Sequence, residues 1–169
     1  MNVKFRRGTP ADTEAYLCFL KDIKRHMQQK DWFYLDPPDM VREMMADGTM
    51  QLWLAMDGAR MAAAFDILHP GPAPFNYGYH LGLTGRELLQ VVHMDTAAVH
   101  RDYRGRGLQR TMVEIAEQEL SGQGRRILLC TVHPENRYSL NNMQNRGYEI
   151  QKRVNLYGSE RYILRKDIF

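Results

Sequence analysis

The spacing of apolar and polar residues in the first third of the chain predicts a short strand followed by two helices. Val3–Arg7 alternates apolar and polar positions, which is the period of a strand. Thr9–Asp12 supplies an N-cap, a proline in the first turn and an early acid, so a helix is predicted over Pro10–His26. A second helix is predicted over Pro38–Gly48, because a proline opens it and an Asp-Gly pair ends it.

The middle of the chain has the pattern of a hairpin followed by a long irregular segment. Met50–Met56 and Met61–Leu68 have strand character, and the Asp-Gly pair between them is typical of a tight turn. Over His69–Leu89 glycine, proline and aromatic residues are mixed without a clear period. Irregular segments of this length in compact domains are usually functional or mobile. Strand character returns over Leu88–Val99.

The last part of the chain predicts a strand-helix-strand crossover. Leu108–Leu120 places apolar residues along one helical face, and Arg126–Val132 is almost continuously apolar, as in a strand covered on both faces. Because a helix joins them, the strands at Leu88–Val99 and Arg126–Val132 are predicted to be parallel. The remaining predicted elements are a short helix that ends near Gly147 and strands at Tyr148–Asn155 and Arg161–Asp167.

Composition narrows the possible partners and the compartment. The 169 residues suffice for one domain, predicted over residues 1–169, and no linker-like stretch divides them. With 23 Lys+Arg against 20 Asp+Glu, the formal charge of +3 is too even to indicate nucleic acid as a main partner. Two isolated cysteines, a start without signal-peptide character and the lack of a membrane-length apolar run predict a cytoplasmic protein that does not bind membranes.

The stretch Val99–Arg110, here named the cradle, carries the strongest chemical signal. Gly105 and Gly107 stand at alternate positions between a strand pattern and a helix pattern, with four arginines around them. Glycines let main-chain N–H groups approach a ligand closely, and the first turn of a helix adds unpaired donors. The pattern predicts a binding site for a pyrophosphate group. An ordinary strand-to-helix connection with solvated arginines is the alternative.

Two motifs resemble the signatures of the GCN5-related N-acetyltransferase (GNAT) superfamily. Arg104–Gln109 is similar to the family's Gln/Arg-x-x-Gly-x-Gly/Ala motif for acetyl-coenzyme A, although Gln109 stands where the family prefers glycine or alanine. Asn136–Tyr148 resembles the second signature through its first asparagine, the small Ser139 and a final Gly-Tyr pair. Both motifs have the order and separation seen in the family, and the resemblance covers essentially the whole chain.

The resemblance implies an α/β (α+β) fold, with a mixed, mostly antiparallel sheet of about seven strands, a central parallel pair and about four flanking helices. It also implies acetyl-coenzyme A (acetyl-CoA) as co-substrate and no metal. Main-chain N–H groups of the cradle would hold the pyrophosphate, and Val99 and Asn136 would hold the pantetheine chain, with a plain N-cap as the alternative role for Asn136. The residues expected to bind acetyl-CoA are Val99, Arg104, Gly105, Arg106, Gly107, Leu108, Gln109, Asn136 and Ser139.

The implied reaction is acetyl transfer to a primary amine, which needs a base because such an amine is mostly protonated at neutral pH. Asp95 is the first candidate, since it lies four residues before Val99, where many family members carry an acid. A strand acid that orders the neighbouring loop is the alternative. His93 is the second candidate, against a purely structural histidine. Met143 occupies the position of the family's frequent proton-donating tyrosine and cannot replace it.

We therefore predict an N-acetyltransferase that moves an acetyl group from acetyl-CoA to a primary amine of a small molecule or peptide. An acyl-CoA-binding regulatory protein of the same fold without turnover is the alternative. A dinucleotide or nucleoside triphosphate site is disfavoured, because the glycine spacing is wrong and no Lys-Ser/Thr pair follows it. The aromatic segments Lys30–Asp36 and Phe75–His80 either wall an acceptor pocket or cover the sheet. A homodimer through the C-terminal strands is also expected.

Overall fold

A computed structural model describes residues 2–169, and within them the chain forms seven strands and five α-helices. The strands are β1 (Val3–Arg7), β2 (Met50–Asp57), β3 (Arg60–Leu68), β4 (Val91–Val99), β5 (Arg126–Val132), β6 (Glu149–Leu156) and β7 (Ser159–Ile168). The helices are α1 (Thr13–Arg25), α2 (Pro38–Asp47), α3 (Arg86–Gln90), α4 (Leu108–Leu120) and α5 (Arg137–Gln144).

The strands hydrogen-bond in the order β1-β2-β3-β4-β5-β7-β6. β4 and β5 pair in parallel, from Val91 opposite Ile127 to His93 opposite Leu129. The pairs β1–β2, β2–β3, β5–β7 and β6–β7 are antiparallel. The predicted mixed sheet with one parallel pair is confirmed. The strand predicted over Leu88–Val99 begins three residues late, because its first residues belong to the short helix α3.

The chain divides into two compact units, and the first combines Met1–Leu68 with Asp95–Gln118. In this N-terminal unit, strands β1 to β3 form an antiparallel meander. Buried residues of α1 and α2 pack with those of β2 and β3 in one core, which includes Tyr16, Leu20, Met44 and Leu52. Phe33 and Leu35, from the predicted aromatic segment Lys30–Asp36, pack against this core.

The second unit, here called the C-terminal unit, combines His69–Met94 with Glu119–Phe169. Its core contains Ile127, Leu129 and Ile163, which have no exposed surface, together with residues that lead into and begin β4. β6 and β7 are joined by Tyr157 and Gly158, both with left-handed backbone (φ 58° and 76°), as in a two-residue hairpin turn. The last two strands are therefore a tight hairpin.

Candidate functional site

The cradle connects β4 to α4 within the N-terminal unit. Val99 ends the strand, Arg101–Tyr103 form a 3₁₀ turn and α4 begins at Leu108. Gly105 and Gly107 both have left-handed backbone (φ +75° and +71°), a conformation that glycine adopts without strain. A Cβ added to Gly105 would meet no atom within 4 Å, so the main chain at that point is open to a ligand.

The start of α4 presents main-chain donors. The first bond of the helix joins the Thr111 N–H to the Gly107 carbonyl at 3.0 Å. The amides that precede this bond belong to Leu108, Gln109 and Arg110. The exposed arginines of the cradle are Arg101, Arg104, Arg106 and Arg110. Amide donors, a positive helix end and guanidinium groups together suit a ligand with several phosphate oxygens.

Several hydrogen bonds fix the position of the cradle. The His100 N–H donates to the Ala62 carbonyl of β3 (2.9 Å), and His100 Nδ1 accepts from the Asp102 N–H (3.2 Å). Tyr103 is buried, and its hydroxyl donates to Asp57 at the end of β2 (3.0 Å). The turn is therefore anchored to β2 and β3, which lowers the entropy that ligand binding must remove.

One acid lies among the arginines of the cradle, and a residue of β3 neutralises it. The Arg60 guanidinium donates to Asp102 at 2.6 Å and lies 5.3 Å from the centre of the Tyr103 ring. The pKa of Asp102 is lowered, first through this hydrogen bond with Arg60. Arg106 also lies over the Tyr103 ring, at 5.7 Å. Because Arg60 balances Asp102, the arginines of the cradle keep their net positive charge.

Asp95, the first candidate base, lies on β4 and is partly exposed. The Thr96 hydroxyl donates to Asp95 Oδ2 at 3.2 Å. Two fully buried side chains lie near enough to Asp95 to feel its charge. They are Asp66 of β3 and Tyr16 of α1, whose hydroxyl is hydrogen-bonded to Asp66 Oδ2. Burial raises the pKa of Asp66 well above its usual value, and the negative charge of Asp95 raises it further. Asp95 thus has a buried carboxyl group as a neighbour.

Sequence reasoning missed Asp66 and Tyr16. The signal that points to Asp66 is a single carboxylate inside the apolar run Ala62–Leu68 of a strand. Charged residues are almost never fully buried unless they have a partner. Such a residue in an apolar strand therefore predicts a polar partner elsewhere in the chain. Nothing in the local sequence identifies Tyr16 as that partner, because 50 residues separate the two.

His93, the second candidate base, is buried in the C-terminal unit. Its Nε2 accepts a hydrogen bond from the Tyr77 N–H at 3.0 Å, and its ring stacks on the Tyr77 ring with 3.8 Å between centres. Burial lowers the pKa of His93 to about 3. The imidazole is therefore neutral at physiological pH and one ring nitrogen is already in use, which favours the structural interpretation of this residue.

The second motif begins at the helix start of α5. Asn136 is the N-cap, and its Oδ1 accepts from the Ser139 N–H at 3.1 Å. The N-cap role expected as the alternative is therefore present. This hydrogen bond uses the side-chain oxygen of Asn136, so the Nδ2 amide group can donate to a ligand. Ser139 is partly exposed on the first turn.

Comparison with known proteins places these two motifs in one family. A model of the acetyltransferase (GNAT) family matches residues 24–148, a range that contains the whole cradle and the second motif. The chain belongs to this family. It is therefore an acyltransferase, and the resemblance inferred from the motifs is confirmed.

Solved structures of GNAT proteins have the same fold. An acetyltransferase of the GNAT family from Streptococcus pneumoniae has a TM-score of 0.75 and 16% identity, covering 99% of this chain and 100% of its own. NAA60 from Arabidopsis thaliana, in complex with acetyl-CoA, has a TM-score of 0.74 and 16% identity, with 99% of each chain covered. The structure of yncA from Salmonella typhimurium with its cofactor acetyl-CoA has a TM-score of 0.70 and 13% identity, covering 100% and 95%. No curated protein matches the chain.

Met143 and the two tyrosines of the second motif in this GNAT protein differ in how far they are buried. Met143, at the position of the frequent proton donor, is buried in the C-terminal unit. Tyr148 is also buried, whereas Tyr138 is 66% exposed. The slot of the usual general acid is thus filled by an apolar side chain.

The aromatic segment Phe75–His80 of this GNAT protein is partly structural. The Tyr77 hydroxyl is hydrogen-bonded to the Tyr157 hydroxyl, and Tyr79 donates to the Pro72 carbonyl at 2.8 Å. Phe75 remains 38% exposed and contacts the edge of the His93 ring, with 6.2 Å between centres. The segment therefore covers part of its own unit and leaves Phe75 and Tyr79 available on the surface.

Residues 2–169 contain neither a candidate metal centre nor a helix that could span a membrane. In that range no group of three or more His, Cys, Asp or Glu side chains is placed to hold a metal ion. None of the helices in the same range has the length and apolar character to cross a bilayer.

Proposed function

We propose that this GNAT protein is an N-acetyltransferase that moves an acetyl group from acetyl-CoA to a primary amine of a small molecule or peptide. The cradle carries the proposal, because its two left-handed glycines, its helix start and its arginines form a site for a pyrophosphate group. Acetyl-CoA contains such a group. Its presence in the structures of NAA60 and yncA, which share the fold, supports the choice.

Each predicted binding residue has a role in holding acetyl-CoA. The main-chain N–H groups of Arg104–Gln109, which include Gly105, Arg106, Gly107 and Leu108, bind the pyrophosphate oxygens, and the guanidinium groups neutralise their charge. Main-chain groups of Val99 bind the pantetheine amides. The Asn136 Nδ2 group donates to the pantetheine chain, while Ser139 keeps the Asn136 side chain oriented through its N–H.

Asp95 is the general base of the proposed reaction. It accepts a proton from the substrate amine, directly or through one water molecule, so that the nitrogen lone pair can attack the thioester carbonyl carbon. A C–N bond then forms and the C–S bond breaks; the nitrogen gives its surplus proton to water, and coenzyme A leaves as a thiolate. His93 is not proposed as the base, because its Nε2 accepts from the Tyr77 N–H.

Release of coenzyme A needs no side-chain acid in this proposal. An unperturbed cysteine thiol has a pKa near 8.5, far below that of an alcohol, so a thiolate is a good leaving group and takes its proton from water. This fits the apolar Met143 at the position of the usual tyrosine.

The decisive assay is thiol release from acetyl-CoA with a panel of primary amines. With an accepted amine, Asp95→Asn is expected to lower kcat by roughly 10²–10⁴-fold, the contribution of a general base, and to leave the Kd for acetyl-CoA unchanged. Asp39→Asn is the matched control, because Asp39 is an exposed acid on α2. Full turnover by Asp95→Asn at every pH would exclude Asp95 as the base. Acetyl-CoA binding without acetylation of any amine would instead support the regulatory alternative.

We also propose a cytoplasmic location and a homodimer. β6 is the edge strand of the sheet and β7 lies inside it, so strand pairing across a two-fold axis would use β6. Analytical ultracentrifugation tests this, since a monomer at micromolar concentration would contradict the dimer.

A further inference from the structure

His100 lies between β4 and the 3₁₀ turn of the cradle, and contacts on several sides hold it. Its main-chain N–H donates to the Ala62 carbonyl at 2.9 Å, which fixes the backbone against β3. Its side chain is the N-cap of the turn, because Nδ1 accepts from the Asp102 N–H at 3.2 Å. Only 15% of the side chain is exposed. The proposed function gives this histidine no role.

The N-cap bond defines the protonation state of the ring. A ring nitrogen of histidine accepts a hydrogen bond only when it carries no proton. Nδ1 of His100 is therefore unprotonated in this conformation, and the single ring proton of the neutral form is on Nε2. An asparagine at an N-cap accepts in the same way through its side-chain oxygen, which has no proton to gain at ordinary pH. The cap at His100 therefore exists only while the ring is neutral.

The charged and titratable groups around the ring come from β3 and from the turn itself. Arg60 of β3 places Nη2 3.4 Å from Nδ1 and 3.3 Å from Nε2, so a permanent cation lies against the ring. Asp102 Oδ2 lies 3.7 Å from Nδ1 and also accepts from Arg60 at 2.6 Å. Arg101 Nε is 3.8 Å from Asp102 Oδ1, and the Tyr103 ring lies edge-on to His100, with 6.1 Å between centres. A second proton on His100 is thus opposed by Arg60 and favoured by Asp102.

A proton on Nδ1 would change both contacts of Asp102 at once. The protonated nitrogen becomes a donor and faces the Asp102 N–H, which is also a donor, so the N-cap bond is lost. The positive ring then competes with Arg60 for the Asp102 carboxylate. The main-chain carbonyl of Asp102 accepts from Arg106 at 3.4 Å, and Arg106 lies between the two glycines of the cradle. Movement of Asp102 therefore reaches the glycine stretch.

We propose that His100 is a positioning residue for the cradle and makes its affinity for coenzyme A depend on pH. The neutral ring caps the turn that precedes Arg104–Gln109 and keeps these amides in the binding conformation. The protonated ring releases the cap, so a smaller fraction of molecules has that conformation and the Kd rises. The proposal rests on the proposed function only in that the cradle is the coenzyme A site, and it requires no turnover.

Isothermal titration calorimetry with coenzyme A tests the proposal at about pH 8 and about pH 5.5, on either side of the ordinary titration range of histidine. The readout is the ratio of the Kd at the lower pH to that at the higher pH, so each protein is its own reference. His100→Asn keeps an N-cap oxygen and gains no proton. We expect the wild-type ratio to be roughly five-fold larger than that of His100→Asn, the contribution of one N-cap bond. The 3′-phosphate of coenzyme A titrates near pH 6 with both proteins and cancels in the comparison.

His26→Asn is the matched control, because His26 is an exposed histidine at the end of α1. Its ratio is expected to equal that of wild type. Equal ratios for wild type and His100→Asn would overturn the proposal.

Arg60→Gln tests the same proposal without a change to His100. Loss of the cation at 3.3 Å favours the protonated ring and frees Asp102 to attract it. The pH at which the affinity for coenzyme A falls is therefore expected to rise by roughly one unit. A fall at an unchanged or lower pH would contradict the proposal.

Imidazole ¹⁵N spectra of the free protein test the protonation state without a ligand. At about pH 8, the His100 Nδ1 resonance, assigned by its absence from His100→Asn, is expected at the position of an unprotonated nitrogen. A protonated Nδ1 at that pH would overturn the proposal.

These outcomes separate the role of His100 from the proposed function. The expected ratios in a protein that acetylates no amine would support the role of His100 and reject turnover. Equal ratios in a protein that does acetylate amines would reject the role of His100 alone. No binding of coenzyme A at either pH would reject both.

Discussion

The cradle and the buried pair of Asp66 and Tyr16 lie in the same unit but are built in opposite ways. The cradle is one continuous stretch, Val99–Arg110, and the groups it offers are main-chain amides and exposed guanidinium groups. The buried pair takes its side chains from α1 and β3, and both have almost no exposed surface. The cradle depends on backbone conformation, whereas the buried pair depends on the identity of each side chain.

This difference teaches where each kind of substitution should act. In the cradle, the two left-handed glycines are the critical positions, because other residues are strained at positive φ. In the buried pair, the backbone is an ordinary helix or strand, and loss of the Tyr16 hydroxyl or the Asp66 carboxyl group removes the hydrogen bond. We therefore expect substitutions of the glycines to change the affinity for acetyl-CoA and substitutions of the buried pair to change stability.

The largest expected effect is on acetyl-CoA affinity. Gly107→Val adds a β-branched side chain at φ +71° beside the first amides of α4, and we expect the Kd for acetyl-CoA to rise on the order of 100-fold, about 2.7 kcal/mol. Gly48→Val is the matched control, because Gly48 has φ +83° and also lies at a helix end. Isothermal titration calorimetry checks both variants. If both variants lost the same affinity for acetyl-CoA, backbone strain would explain the result and the position of Gly107 in the cradle would not matter.

The next effect is on stability. Tyr16→Phe keeps the ring and removes the hydroxyl, so the buried Asp66 loses its side-chain hydrogen-bond partner. We expect the free energy of unfolding to fall by about 2 kcal/mol, with no change in the Kd for acetyl-CoA. Tyr138→Phe removes an exposed hydroxyl and serves as the control. Urea denaturation that gives equal stabilities for wild type and Tyr16→Phe would contradict the importance of the buried pair.

A third effect concerns His93, whose burial produces a dependence of stability on pH. The pKa of His93 is about 3 in the folded state, and an unfolded histidine titrates near 6.5. The unfolded state therefore binds a proton below pH 6.5 that the folded state does not, so stability falls as the pH drops. At pH 5.5 the loss is expected to be about 1.4 kcal/mol relative to His93→Gln, which has no such proton. Parallel pH profiles for the two proteins would contradict this assignment.

The smallest effect is expected at the exposed pair of Arg60 and Asp102. Arg60→Gln removes a surface ion pair, and exposed pairs contribute little because water and salt screen them. We expect the melting temperature to stay within about 2 °C of the wild-type value. A much larger fall in differential scanning calorimetry would show that the contact of Arg60 with the Tyr103 ring holds the cradle in place.

The sequence predicted those features that depend on local pattern. The bounds of α4 and β5 agree with the prediction, since an amphipathic run with glycines after it and a continuous apolar run are local signals. The bounds of β4 were wrong at one end, because Arg86–Gln90 forms a helix of only five residues, too short for a periodic signal. The conformation of the cradle follows from two glycines.

The side-chain part of the site was not predictable in the same way. Asp66 and Tyr16 meet across 50 residues, and only the packing of α1 on the sheet brings them together. The surroundings of His93 also come from tertiary structure, since Tyr77 lies 16 residues before it. Local sequence thus identifies the backbone site, while the groups that set proton affinities depend on contacts between distant segments.

The most direct test of the central claim is a thermal-shift titration of the protein with acetyl-CoA, coenzyme A, NAD and ATP. If the cradle binds coenzyme A esters, the melting temperature rises with acetyl-CoA and coenzyme A and stays constant with NAD and ATP. No rise with either form of coenzyme A, or an equal rise with all four compounds, would contradict the account.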